Sequence, residues 1–139
     1  MIVLDTNVVS ELMKGDSFPA VFAWVANHPP ADLFTTTITM AEVLYGIERL
    51  PNGKRRDQLL REAESIFVKD FAGRILTFDE SAARMFAIIA TRRRAHGRPI
   101  HELDAQIAAI ARVHGATLAT RNTGDFEGCG VRVVNPWEG

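Results

Sequence analysis

The chain opens with MIVLDTNVVSEL (residues 1–12), where a short apolar run is followed directly by an acid, a threonine and an asparagine. The apolar run at residues 2–4 is too brief to alternate and is typical of a strand buried on both faces. From Thr6 to Lys14 the pattern predicts a short helix, which Gly15 ends. A buried strand that leads straight into a helix is the start of a βαβ unit, so this stretch favours an α/β fold.

The remainder of the chain continues this alternation of strands and helices. Further strands are predicted over residues 33–38, 74–78, 117–120 and 131–134. Helices are predicted over residues 18–27, 39–50, 54–67, 80–96 and 103–114. Strands joined through such helices need crossover connections, which make them parallel. We therefore expect one domain over residues 1–139, a three-layer α/β/α sandwich with a mainly parallel central sheet.

The composition is that of a globular protein, with 47% hydrophobic and 24% charged residues among 139. The single cysteine, Cys129, excludes a disulfide framework. The opening stretch lacks the features of a signal peptide, and no apolar run approaches the ~20 residues that span a membrane. We therefore expect a cytoplasmic protein that does not associate with membranes.

The charged residues are unevenly distributed along the chain. Sixteen basic and seventeen acidic residues give a net charge of −1, which taken alone argues against a nucleic-acid partner. Residues 49–98, however, hold twelve Lys or Arg against six Asp or Glu, while the rest of the chain holds four against eleven. Either the domain presents two faces of opposite sign, or the helices carry their charges on solvated faces. A near-zero total therefore does not exclude RNA.

Several acids are predicted to meet at one edge of the sheet. Open parallel sheets bind ligands beyond the carboxyl ends of their strands. Asp5 directly follows the first strand, and Asn122 and Asp125 lie in the loop after a later one. Glu42 and Asp104 fall near the starts of helices, which begin at the same edge. Carboxylates gathered in this way repel one another, and Mg²⁺ or Mn²⁺ relieves that repulsion through the oxygen ligands that it prefers.

Each of these acids also has a local explanation. Asp5 can cap the helix that follows it, and Glu42 stands three residues after Thr39 as in a capping box. Asp104 suits the positive end of a helix dipole. Asp79 also follows a strand, but nothing else singles it out, and we interpret it as a helix cap. Trp137 is expected to anchor the C-terminus.

Other chemistries lack the residues that they need. The four histidines do not have the spacing of metal ligands, and no glycine-rich phosphate loop is present. Neither Ser10 nor Ser81 lies in a nucleophile elbow. A phosphatase of the haloacid-dehalogenase type would need a second aspartate where Asn7 stands.

The residues reached so far resemble a known family. The blocks Asp5-Thr6-Asn7, Ala41-Glu42, LDAQIAA (103–109) and ATRNTGDF (119–126) resemble the PIN domain. More narrowly, FAGRIL (71–76), FDE (78–80) and NPW (135–137) look like the FitB-like group of VapC toxins. The resemblance runs essentially from end to end of the chain.

The resemblance implies a Mg²⁺- or Mn²⁺-dependent endoribonuclease, the toxin of a type II toxin–antitoxin pair, in which water attacks a phosphodiester. Asp5, Glu42 and Asp104 match the acidic triad of the family, and Asp5 and Asp104 are expected to bind the metal. Many PIN domains have a fourth acid where this chain has Asn122, and the nearest acid is Asp125. We therefore include Asp125 among the candidate catalytic residues and favour a single metal ion.

Polar and basic neighbours complete the expected site. Thr6, Thr120 and Asn122 are expected to orient water or the ligand carboxylates. RNA phosphates are expected to contact Arg121, beside the site, and the basic stretch, with affinity that falls as salt rises. Its candidate residues are Lys54, Arg55, Arg56, Arg92, Arg93, Arg94 and Arg98. Part of this stretch can equally meet an acidic segment of an antitoxin.

The resemblance also implies partners. They are an RNA substrate, a VapB- or FitA-like antitoxin, and a second copy of the chain in a homodimer that forms higher oligomers with the antitoxin. An antitoxin would lay an amphipathic helix in a groove near the site and offer a basic side chain to the carboxylates. The alternative function is a catalytically weak or inactive PIN-fold module that acts through its antitoxin, since Asn122 replaces an acid.

Overall fold

The computed structural model describes residues 1–139 as five strands and six α-helices, with a pair of α-helices after each of the first three strands. The strands are β1 (Ile2–Leu4), β2 (Leu33–Thr36), β3 (Ile75–Leu76), β4 (Thr117–Ala119) and β5 (Val133–Val134). The helices are α1 (Thr6–Leu12), α2 (Pro19–Ala26), α3 (Thr37–Glu48), α4 (Lys54–Ser65), α5 (Glu80–Ala95) and α6 (Glu102–Val113). Short turns of 3₁₀-helix cover Pro30–Asp32 and Thr123–Phe126, and a π-helical turn covers Ile66–Asp70.

The strands form one parallel sheet in the order β3-β2-β1-β4-β5. β1 lies at its centre, where Ile2 is in register with Leu33 of β2 on one side and with Thr117 of β4 on the other. Because the chain order reverses at β1, the crevice beyond the ends of β1 and β4 is the topological switch point, where ligands bind in such sheets. The predicted α/β fold with a parallel sheet is confirmed.

The core lies in two layers, one on each face of the sheet. Consecutive residues of β1 point to opposite faces, so fully buried Val3 and Leu4 belong to different clusters. Leu4 packs with residues of α1–α4, while Val3 packs with Ile89 of α5 and Ile107 of α6. This arrangement is the expected α/β/α sandwich. None of the helices is both long and apolar enough to cross a membrane.

Several element ends differ from the predictions, always where a local signal was ambiguous. The predicted strand over residues 131–134 is reduced to Val133–Val134, because the preceding Gly128 and Gly130 have positive φ angles that belong to a loop. α3 begins at Thr37 rather than at Thr39, since the hydroxyl of Thr36 accepts a hydrogen bond from the Thr39 amide and caps the helix. Asp79 caps α5 as predicted.

Candidate functional site

Asp5 lies at the switch point, held by both strands that meet there. Its amide donates to the carbonyl of Ala119 at 2.9 Å, which fixes the backbone beside β4. Its Oδ1 accepts from the Thr6 amide at 2.8 Å, so the predicted cap of α1 is present. Its Oδ2 accepts from the hydroxyl of Thr120 at 2.7 Å. Asp5 is 4% exposed and lines a cleft at the switch point.

The loop after β4 is tied to the start of α1 through Asn7. The side-chain amide of Asn7 donates to Thr120 Oγ1 at 3.2 Å, and its Oδ1 accepts from the Arg121 amide at 3.3 Å. Thr120 Oγ1 also accepts from the Asn122 amide at 3.1 Å. The positions of Arg121 and Asn122 therefore follow from the same contacts that orient Asp5.

Glu42 reaches the site from α3, and its contacts correct one prediction. The hydroxyl of Thr6 donates to Glu42 Oε1 at 2.8 Å and lies 3.1 Å from the hydroxyl of Thr39. The predicted capping box of Thr39 and Glu42 is wrong, because Thr36 caps the helix. The Glu42 side chain is instead oriented by Thr6 of α1, beside Asp5, and not by a role in capping its own helix.

Asp104 lies in the first turn of α6, as predicted, and faces the same cleft. The cleft has a volume of about 390 Å³. Its lining includes Asp5, Glu42, Asp104, Arg121, Asn122 and Trp137. The structure thus brings the three triad acids of the sequence prediction together around one opening. A larger open groove of about 840 Å³ between α1, α3 and α4 shares Glu42 with this cleft.

The acids of the cleft act on one another electrostatically. Burial, and then the charges of Asp104 and Glu42, raise the pKa of Asp5 from 3.8 to about 6, against the lowering effect of hydrogen bonds from Thr120 and Thr6. Burial, and then the Glu42 charge, likewise raise the pKa of Asp104. Ionising these carboxylates together in the folded chain therefore costs free energy.

The donor chemistry of the cleft fits a hard divalent cation. No group of three or more His, Cys, Asp or Glu side chains is arranged to hold a metal ion between its members, so the acids line the cleft without closing on one point. Mg²⁺ is commonly bound by one or two carboxylates, with water and substrate phosphate completing its octahedron. Asp5 and Asp104 offer such a set, and Asn122, whose side chain also carries an oxygen donor, lines the same cleft.

Asn122 and Asp125 are placed differently. Asn122 lines the cleft, whereas Asp125 does not. Asp125 lies in the 3₁₀ turn that follows, where its main-chain carbonyl accepts from the guanidinium of Arg93 at 2.7 Å. Its charge still reaches the site, since it contributes to the raised pKa of Asp104.

One predicted RNA contact is wrong. Arg93 is 7% exposed, and its guanidinium donates to the main-chain carbonyls of Arg98, Asp125 and Glu127. It therefore cannot reach a phosphate at the surface, and instead joins α5 to the segment that follows β4.

Other members of the basic stretch remain at the surface. Arg92 and Arg94 are exposed on either side of buried Arg93. Arg98 is exposed but forms an ion pair with Glu127 at 2.7 Å, and Arg56 forms one with Glu48. Arg92 and Arg94 therefore have charges free of such pairs.

Trp137 is one of the lining residues that the sequence interpretation missed, together with Ser10, Glu11 and Lys14. It was expected only to anchor the C-terminus, yet its ring faces the cleft and the guanidinium of Arg121 lies over it, 5.3 Å from the centroid. The block NPW (135–137) was the available signal, but only the pairing of β5 with β4 brings it beside the site.

Comparisons with known proteins show which family and fold this chain is similar to. The family model described as PIN domain matches residues 2–128. The VapC ribonuclease Y4jK of Sinorhizobium fredii is 41% identical over 138 residues, and Toxin FitB of Neisseria gonorrhoeae is 42% identical over 137, each covering 99% of both chains. The crystal structure of FitAcB from Neisseria gonorrhoeae has a TM-score of 0.92 and 42% identity, covering 99% of both chains. The structure of FitAB bound to an IR36 DNA fragment also has a TM-score of 0.92 and 42% identity, covering 99% of this chain and 96% of that one.

Proposed function

The chain belongs to the PIN-domain family, and from that membership we propose that it is a cytoplasmic endoribonuclease, the toxin of a type II toxin–antitoxin pair. The observation that carries the proposal is the acid-lined cleft at the switch point of the sheet, where Asp5, Glu42 and Asp104 converge. A cleft in which mutual repulsion and burial raise carboxylate pKa values is suited to a divalent cation and a phosphodiester.

Five polar residues in or beside the cleft have roles in this reaction. A Mg²⁺ or Mn²⁺ ion would be held by Asp5 and Asp104. When bound, such an ion supplies Lewis-acid activation of a phosphate oxygen and of water. Glu42, oriented by Thr6, accepts the proton of the attacking water, and Thr120 keeps the Asp5 carboxylate turned into the cleft.

The reaction is hydrolysis at phosphorus. The water oxygen attacks in line, the bond from phosphorus to the 3′ oxygen breaks, and that oxygen takes up a proton and leaves. The products carry a 5′-phosphate and a 3′-hydroxyl. No residue is needed to activate the 2′-hydroxyl, and fragments ending in a 2′,3′-cyclic phosphate would contradict this mechanism.

The partner is a VapB- or FitA-like antitoxin. The groove between α1, α3 and α4 shares Glu42 with the cleft, so a peptide lying in it can carry a basic side chain to the acids. By occupying the cleft in this way the antitoxin would inhibit the nuclease. We further propose a homodimer of the chain within the complex.

The test is cleavage of structured RNA by purified chain with Mg²⁺ or Mn²⁺ and with EDTA. Asp5→Asn and Asp104→Asn should lose cleavage by at least about a hundredfold while remaining folded. Asp79→Asn is the matched control, because Asp79 also follows a strand but only caps α5. It should cleave like the unaltered chain.

The same assay distinguishes the proposed function from the alternative one. An inactive PIN-fold module would bind its antitoxin yet show no cleavage that depends on Asp5 or Asp104. The convergence of all three triad acids on one cleft argues against that alternative despite Asn122. Absence of metal-dependent cleavage with antitoxin binding intact would establish it.

A further inference from the structure

Arg121 carries a free positive charge inside an acidic cleft. Arg121 and Lys14 both line it, but Lys14 pairs with Glu11 at 3.5 Å. The guanidinium of Arg121 has no carboxylate within 4.0 Å, and only the main-chain amide of this residue is hydrogen-bonded, to Asn7. The N–H groups of its side chain are therefore available to a ligand.

Trp137 fixes where that guanidinium lies. The indole is half-buried against the core layer of α1–α4, and its main-chain amide donates to Asn135 Oδ1 at 2.9 Å. Buried Pro136 precedes it. The ring is thus a firm surface within the cleft, and the Arg121 guanidinium is held over it by cation–π attraction.

An arginine guanidinium beside an aromatic ring matches the chemistry of an unpaired nucleotide. Bases of single-stranded RNA stack on aromatic rings and on guanidinium planes, while N–H groups at the edge of an arginine donate to phosphate. In a duplex the faces of the bases are already stacked and cannot be offered in this way. The rest of the lining holds four acids and one other cation, Lys14, which pairs with Glu11, so Arg121 is the unpaired cation of the cleft that can attract a phosphate.

We propose that Trp137 and Arg121 form a subsite that takes an unpaired nucleotide beside the bond that is cut. The base stacks on the free face of the Arg121 guanidinium, which lies over the Trp137 ring, and the phosphate of that nucleotide accepts from the N–H groups at the edge of the guanidinium. The inference rests on the proposed nuclease function and adds to it the two residues that hold a nucleotide beside the bond that is cut.

The first test uses the fluorescence of Trp137 itself. Trp24 is the other tryptophan, on α2, where its ring lies 4.3 Å from that of His28, outside the cleft. A chain carrying Trp24→Phe and Asp104→Asn therefore reports on Trp137 alone without cutting its ligand. A single-stranded RNA of about 12 nucleotides should quench the emission saturably, and the same sequence in a blunt duplex should bind at least about fivefold more weakly.

Matched variants separate stacking from charge. Adding Arg121→Ala to that chain should weaken single-strand binding about tenfold, and Arg121→Lys should keep the salt dependence but lose most of the quenching. Equal binding of single strand and duplex, or binding without quenching, would overturn the proposal.

The second test is kinetic and uses the otherwise unaltered chain. Trp137→Leu and Arg121→Ala should raise KM for a single-stranded substrate about tenfold and change kcat by less than about threefold. Trp137→Phe keeps an aromatic ring, so its KM should be close to that of the unaltered chain. A folding defect in Trp137→Leu therefore cannot by itself account for the expected pattern. Thermal melting checks all three.

The outcomes distinguish this inference from the function on which it rests. If the unaltered chain does not cut RNA with a divalent cation, the proposed function fails. If it cuts RNA but the variants leave KM unchanged, the subsite alone is wrong. Variants that lose affinity for the antitoxin while KM is unchanged would assign the Trp137–Arg121 surface to the antitoxin and overturn the inference.

Discussion

The hydroxyl of Thr6 donates a 2.8 Å hydrogen bond to Oε1 of Glu42, 36 residues away in the chain. The same hydroxyl lies 3.1 Å from that of Thr39, and since its single proton is used on Glu42, Thr39 must be the donor to Thr6. A short relay of hydroxyl groups therefore holds the carboxylate. Because Thr39 is fully buried, the relay is anchored in the interior rather than in solvent.

Replacing Thr6 tests this relay. Thr6→Val keeps the shape but removes the donor, so Glu42 is released and kcat should fall roughly tenfold. The buried Thr39 hydroxyl also loses its acceptor, which should lower the free energy of unfolding by about 1–3 kcal/mol. Thr6→Ser keeps the hydroxyl and should retain both activity and stability. Kinetics and urea unfolding of the two variants measure this, and equal kcat in both would show that Glu42 needs no support.

The raised pKa of Asp5 predicts how stability depends on pH without metal. The pKa of Asp5 is about 6 in the folded chain against 3.8 as its ordinary value, so the folded state binds more protons between these values. The contribution of Asp5 to stability should therefore fall as pH rises from about 4 to 6 and stay low above, by about 3 kcal/mol.

Asp5→Asn removes the titrating group while keeping an oxygen that can cap α1. In EDTA the variant should gain stability relative to the unaltered chain on going from about pH 4.5 to about pH 7.5, by about 3 kcal/mol or less. Urea unfolding at the two pH values measures the difference. A stability difference that is independent of pH would mean that Asp5 ionises without penalty.

The sequence predicted the part of the site that local order determines. Asp5 directly follows β1, and ligands bind beyond the carboxyl ends of parallel strands. Because β1 lies at the centre of the sheet, beside the switch point, the acidic cleft could be predicted from the sequence. The pairing of Trp137 with Arg121 was not, because it depends on how β5 lies beside β4. The role of Glu42 was also hard to predict. Thr36 and Thr39 are equally suitable helix caps in the sequence, and a cap at Thr39 would have explained Glu42 as part of a capping box.

Arg93 shows a signal that was present but overlooked. The buried face of α5 includes Ala82 and Ile89. Arg93 lies four residues after Ile89, so it falls on that same face. Its neighbours Arg92 and Arg94 lie about 100° away on either side, which places them in solvent. The helical period therefore distinguishes buried Arg93 from exposed Arg92 and Arg94. Treating the three arginines as one basic patch does not make that distinction.

Arg93 should accordingly be required for stability. Arg93→Met keeps much of the volume but leaves the carbonyls of Asp125 and Glu127 without this donor, and should cost about 2–4 kcal/mol in the free energy of unfolding. Arg92→Ala is the matched control and should change stability by less than about 0.5 kcal/mol. Denaturant unfolding of both variants tests the contrast, and an equal loss in both would contradict it.

Arg92 and Arg94 should instead affect RNA binding. If each contacts a phosphate, Arg92→Ala and Arg94→Ala should each reduce the slope of log affinity against log salt by about 0.7 for single-stranded RNA. The slope is measured between about 50 and 200 mM salt by fluorescence anisotropy with a chain that cannot cut. Arg84→Ala, which removes an exposed arginine paired with Glu80, serves as control. Unchanged slopes with normal antitoxin binding would exclude this face from the RNA track.

The fourth position of the acidic site should be Asn122. Asn122 lines the cleft with Asp5 and Asp104, whereas Asp125 is outside the lining and influences Asp104 only through its charge. Asn122→Asp adds a carboxylate to the cleft. It should lower stability in EDTA through added repulsion, raise Mn²⁺ affinity about tenfold and allow a second ion to bind.

Asp125→Asn is the comparison that decides between the two residues. It should change Mn²⁺ affinity by less than about threefold, because it removes a charge near Asp104 and not a ligand. Isothermal titration calorimetry gives both the affinity and the number of ions per chain. Loss of Mn²⁺ binding in Asp125→Asn, with Asn122→Asp unchanged in affinity and stoichiometry, would assign the fourth position to Asp125. Tighter Mn²⁺ binding and a second ion in Asn122→Asp, with little change in Asp125→Asn, would assign the fourth position to Asn122. An amide then suffices in the unaltered chain, because only one ion binds and no further carboxylate is needed to neutralise a second.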